Sequence, residues 1–157
     1  MKQILLILIS VLSLVSSESM GAVHVRGQLL CDGKPFSGQK VAVYKKNSLI
    51  KDDFVISDTT DRDGYFTMRG SNSNPLMKPS FYVYIENWCV GVETAHFLHC
   101  AYTIKVPIPA SFVADGNLPK TTFALDSLDL RTAITDETGL GNIAYYLTPH
   151  MVCKDRE

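Results

Sequence analysis

The sequence predicts an all-β fold, an antiparallel sandwich of about seven strands. Three observations carry that prediction. Short β-rich segments recur at a spacing of about ten residues, several with alternating apolar and polar side chains. Clusters of Gly, Pro, Asp, Asn and Ser separate them. No stretch of the first 125 residues keeps a helical period. The chain has 157 residues, 46% of them hydrophobic, which suits one domain with a core of its own. Fifteen basic and 16 acidic residues leave a formal charge of −1, which argues against a nucleic-acid binder.

The first segment is a leader, not a strand. Lys2 supplies one positive charge, and Ile4 to Val15 is apolar apart from Ser10 and Ser13. That length fits a secretory signal and falls short of the roughly 20 residues that span a bilayer. Cleavage is expected after Ser17, with Ser19 as a second position. Residues 1–17 are therefore expected as signal peptide and 18–157 as a single secreted domain that does not span the membrane.

Residues 22–31 alternate, with Val23, Val25, Gly27, Leu29 and Cys31 on one side and His24, Arg26 and Gln28 on the other. Asp32-Gly33-Lys34-Pro35 then breaks the chain, and Ser37-Gly38 extends the turn. Residues 40–46 and 53–60 are β-rich. Asp61-Arg62-Asp63-Gly64 is a turn, with Gly supplying the positive φ, and Tyr65 to Arg69 completes a hairpin. Gly70 to Pro79 is read as a polar loop. Phe81, Val83 and Ile85 alternate with Tyr82, Tyr84 and Glu86. Tyr102 to Ile108 repeats the pattern, and Pro107 implies a strand end or an edge. After a turn at 114–119, Thr121 to Leu125 begins the last clear strand. In the tail, 132–138 could form one helical turn.

Four cysteines follow the leader: Cys31, Cys89, Cys100 and Cys153. An even number in a secreted chain predicts two disulfides. Cys89 and Cys100 flank one short loop, so they are paired; Cys31 with Cys153 follows by elimination. Zinc held by Cys89, His96, His99 and Cys100 is the alternative, but that spacing matches no standard finger. No metal or cofactor is expected. The acidic stretch of Asp52, Asp53, Asp58, Asp61 and Asp63 lacks the twelve-residue calcium-loop pattern and is explained in part by turn chemistry.

Gly27-Gln28-Leu29-Leu30-Cys31-Asp32-Gly33-Lys34-Pro35, Val41-Ala42-Val43-Tyr44, Thr60-Asp61-Arg62-Asp63-Gly64-Tyr65-Phe66, Phe81-Tyr82-Val83-Tyr84-Ile85, Cys89, Cys100 and Ile104-Lys105-Val106-Pro107 follow one another in that order. Over residues 22–125 the chain resembles the secreted transthyretin-like proteins of nematodes. It departs from them at Glu86-Asn87-Trp88, where the family carries a His-Asp pair. The resemblance implies a transthyretin-like two-sheet sandwich and an extracellular site of action, with no common ligand. Hydroxyisourate hydrolases share the transthyretin fold. His24-Val25 resembles their first-strand His, but the C-terminal Tyr-Arg-Gly-Ser is missing. No catalytic residues are therefore assigned and an enzyme is not expected.

The expected function is extracellular binding, as an adaptor or signalling protein that contacts a cell surface, a protein or a lipid. The alternative is a carrier of an apolar small molecule. Trp88, His96, Phe97, Leu98 and His99 are the expected binding residues, because a disulfide would hold this apolar loop in one shape. If the loop is instead a lid, the polar loop from Gly70 to Pro79 is the next candidate.

Overall fold

A computed structural model describes residues 18–94, 98–134 and 146–155. The leader lies outside these residues. In chain order the strands are β1 (Ser19–Cys31), β2 (Lys34–Pro35), β3 (Lys40–Lys45), β4 (Asp53–Thr59), β5 (Tyr65–Asn74), β6 (Phe81–Thr94), β7 (Leu98–Pro107), β8 (Ala114–Asp115), β9 (Thr122–Asp129) and β10 (Tyr146–Asp155). Each of the segments predicted from alternation is a strand.

Two sheets form the sandwich. β1 is the centre of the first. It pairs antiparallel with β5 from Ser19↔Asn74 to Gln28↔Tyr65, and parallel with β9 from His24↔Thr122 to Leu30↔Asp129. The short β2 and β8 pair with the two ends of β1. The second sheet runs β10-β7-β6-β3-β4, all antiparallel. Alternation aims one face of each sheet at the other. Val23, Val25, Leu29, Phe66, Met68, Phe123, Leu125 and Leu128 thus meet Val41, Val43, Val83, Ile85, Ile104 and Val106 in one buried core. Truncating a residue such as Leu29 there would cost about 2–5 kcal/mol.

The turns follow their sequences. The Asp61 carboxylate accepts the N–H groups of Asp63 and Tyr65, both at 2.9 Å. Gly64 closes the turn at φ +79°, where a Cβ would collide with the Leu29 carbonyl oxygen.

The predicted disulfide pairing is overturned. Cys31 is bonded to Cys89 and Cys100 to Cys153. The reason is register. Asn87 pairs with Tyr102 and Gly91 with Ala101, so a bulge at 88–90 sets Cys89 away from Cys100. Cys89 instead reaches β1 and ties the sheets together. Cys100 lies directly opposite Cys153 on β10, with Cα atoms 4.0 Å apart. Both cysteines of the alternative zinc set are consumed in these bonds, which removes that reading. Of the segment read as a disulfide loop, residues 88–94 belong to β6 and 98–100 to β7, and the Gly70–Pro79 loop is strand as far as Asn74. In the tail, Thr132–Ile134 is a 3-10 turn, and the rest of the predicted helical turn lies outside the described residues.

Candidate binding surfaces

The predicted site lies at the β6–β7 end. Trp88 and His99 are on neighbouring strands and stack, with ring centroids 5.4 Å apart and planes 19° from parallel. The Lys154 ammonium from β10 sits over the Trp88 ring, 4.3 Å from its centroid. The indole N–H donates to the Glu86 carboxylate at 3.0 Å, and Lys154 is 3.9 Å from the same carboxylate. Cation, ring and carboxylate therefore satisfy one another, and both rings are only partly exposed. His96 and Phe97 lie outside the described residues. Leu98 is the first residue of β7, and its side chain is outside them too. Of the five predicted residues, the structure brings together Trp88 and His99.

The opposite end of the sandwich differs. The β3–β4 loop carries Leu49 and Ile50, 97% and 73% exposed. The β5–β6 loop carries Leu76 and Met77, 88% and 62% exposed. The two loops share one base. The Lys46 N–H donates to the Ser80 carbonyl at 2.8 Å. The buried Lys45 ammonium donates to the Ser73 carbonyl at 3.0 Å and pairs with Asp53 at 2.7 Å. That cation holds the Asp53 carboxyl below its ordinary value. Asp52 accepts the Asn47 N–H and the Tyr82 hydroxyl, both at 2.8 Å. Burial raises the Tyr82 hydroxyl above its ordinary value, reinforced by that bond to Asp52. Behind it Tyr82 stacks on Tyr44, which meets Phe54 and Tyr84 edge-on. The acids at this base are thus engaged. Lys46 and Lys51 are exposed and make no ion pair among the described residues, while Lys78 pairs on the surface with Asp115 at 3.1 Å. Met20 and Leu118 are exposed at the same end, where the Gly116 N–H donates to the Met20 carbonyl. Leu76 and Met77 lie in the Gly70–Pro79 loop that the sequence offers as the next candidate, whereas Leu49-Ile50 reads as an ordinary apolar pair until the turns around it are placed.

A third surface is a groove of about 670 Å³ on the outer side of the first sheet. Arg26, Gln28, Asp58, Asp61, Tyr65 and Asp126 are among its lining residues. His24 lies on the same strand face. Its Nδ1 is hydrogen-bonded to the Thr122 hydroxyl at 2.7 Å and its Nε2 to the Thr67 hydroxyl at 3.1 Å. Burial, then Arg69 and Arg26, hold this imidazole below its ordinary value. With both ring nitrogens engaged, His24 is a cross-strand clamp.

Residues 26–109 match the sequence model of the Transthyretin-like family. Transthyretin-like protein 46 of Caenorhabditis elegans is 25% identical over 139 residues, covering 87% of this chain and 75% of that protein. Transthyretin-like protein 33 of the same organism is 27% identical over 132 residues, covering 82% and 88%. Transthyretin-like protein 1 is 30% identical over 116 residues, covering 69% and 71%.

Proposed function

The chain belongs to the transthyretin-like family, and on that premise we propose that it is a secreted binding protein whose apolar, basic end contacts a cell surface. The apolar leader, the two disulfides and the family support the extracellular setting. One observation carries the contact itself: Leu49, Ile50, Leu76 and Met77 stand 62–97% exposed on two loops that share a base. Burying one such side chain fully gains about 1.5–3 kcal/mol, so four in water are a standing drive toward a partner. The partner favoured by their surroundings is a lipid surface. Lys46 and Lys51 flank Leu49 and Ile50, stand exposed and make no ion pair among the described residues, and each such lysine near an anionic bilayer contributes about 1 kcal/mol. Apolar tips within a basic collar suit the boundary between headgroups and acyl chains.

We read action by binding rather than catalysis, with His24 linking β1 to β5 and β9 through its two threonine hydroxyls. The groove is lined by one guanidinium and three carboxylates, which argues against an apolar cargo there. Sedimentation of the disulfide-intact chain with vesicles tests the reading. Vesicles containing anionic lipid should carry the protein down, and zwitterionic vesicles should carry much less. The double change Leu49→Ser and Ile50→Ser should weaken sedimentation at least tenfold. Equal binding by both proteins, or none by either, would overturn the proposal.

A further inference from the structure

We propose that the groove on the outer side of the first sheet is a binding site for a neutral saccharide. The inference stands on different residues from the apolar end and does not depend on it. The volume, about 670 Å³, falls within the roughly 300–1,000 Å³ of sites for small organic ligands. Its lining selects among such ligands by chemistry.

Arg26 lines the groove, is exposed, and makes no ion pair among the described residues. Its guanidinium offers a planar fork of donors. Three carboxylates supply acceptors. Asp58 is held in place by the Thr59 and Thr67 N–H groups, at 2.8 and 2.9 Å. Asp61 is held by the Asp63 and Tyr65 N–H groups. A carboxylate has about four acceptor positions, so each keeps capacity after its orientation is set. Gln28 is locked as well: its Nε2 donates to the Asp63 carbonyl at 2.9 Å, and its Oε1 accepts from the Ser127 hydroxyl at 2.8 Å. The third carboxylate, Asp126, sits at the β9 bulge. Ala124 occupies little room beside these groups, and Tyr65, 53% exposed, gives an aromatic edge.

Three carboxylates against one guanidinium make the lining net negative, which repels phosphate, sulfate and acidic peptides. A wholly apolar ligand would desolvate Arg26 and Asp126 without replacing their hydrogen bonds. A sugar hydroxyl both donates and accepts, so neighbouring hydroxyls can meet carboxylate and guanidinium at once. Its C–H face can lie on the Tyr65 ring. The preset carboxylates and the locked Gln28 lower the ordering cost of binding.

The test is a titration of the full, ¹⁵N-labelled, disulfide-intact protein with neutral probes: glucose, galactose, mannose, N-acetylglucosamine and their disaccharides. At least one should give saturable amide shifts at Gln28, Thr67, Ala124 and Ser127, with an affinity around the millimolar level. Asp126→Asn keeps a residue tolerant of positive φ and should weaken that binding at least tenfold at unchanged melting temperature. Arg26→Leu should do the same. The proposal is overturned if no probe shifts these amides, or if both variants bind as the wild type does. It is also overturned if ethanolamine or inorganic sulfate shifts them more strongly than any sugar.

Discussion

The two ends of this sandwich spend their large side chains in opposite ways. At the β6–β7 end, Trp88, His99, Lys154 and Glu86 satisfy one another by stacking, cation–π contact and hydrogen bonding. At the other end, Leu49, Ile50, Leu76 and Met77 stand in solvent on loops whose bases are tied down. A tryptophan beside a cysteine suggests a binding surface; this one is partly exposed and held by His99, Lys154 and Glu86. Plain aliphatic pairs in unremarkable loops are the most exposed large apolar groups among the described residues, with Leu118 beside them. What separates the ends is whether a neighbouring strand passes close enough to supply a partner.

The strongest way to break the β6–β7 end is through its bond to β1. Replacing both Cys31 and Cys89 with Ser should cost about 2–5 kcal/mol, read as a shifted urea midpoint. A loss below about 1 kcal/mol would mean that the bond does little to hold the sheets together. Next comes Asn87, which is fully buried and donates to the Leu130 carbonyl at 2.7 Å. Asn87→Ala leaves that carbonyl without this donor and should cost about 1–3 kcal/mol by the same assay. Trp88→Ala removes one stack and one cation–π contact, so about 1 kcal/mol should be lost. Vesicle sedimentation should not change, which separates the two ends directly. Leu49→Ser with Ile50→Ser should show the reverse: stability within about 0.5 kcal/mol of wild type, with membrane association lost.

The smallest effect is a pH slope. The folded chain holds His24 below its ordinary value, chiefly by burial. The unfolded chain therefore takes up that proton first as pH falls. The His24 contribution to stability is full above the unfolded value, near 6.5, and declines as pH drops through the lowered folded value. His24→Gln should flatten this part of the profile. An unchanged slope would show that the imidazole is not perturbed.

The fold was legible where alternation is strong. Val23-Val25-Leu29 and Phe81-Val83-Ile85 mark buried faces with no tertiary information, and Asp61 to Gly64 specifies its turn by local chemistry. The disulfides were not legible. Their pairing depends on a bulge between Asn87 and Gly91 and on the register of β10, both set by contacts distant in sequence. Gly70 to Asn74 reads as loop in the sequence because its residues are polar, whereas backbone pairing with β1 makes it strand. Of the site, His24 stands in the sequence as a lone polar residue, because its two threonine partners come from β5 and β9. The groove likewise draws on strands remote in sequence, so no local motif announces it.

The chain has a single tryptophan, and it lies at the end proposed to face away from the membrane. That permits one decisive measurement: quenching of indole emission by brominated lipids in anionic vesicles. Trp88 in the wild-type protein should keep its intensity on binding. The indole introduced by Leu76→Trp in a Trp88→Phe background should be strongly quenched and shifted to the blue. Quenching of Trp88 together with unaltered emission from position 76 would contradict the central claim and return the binding surface to the β6–β7 end.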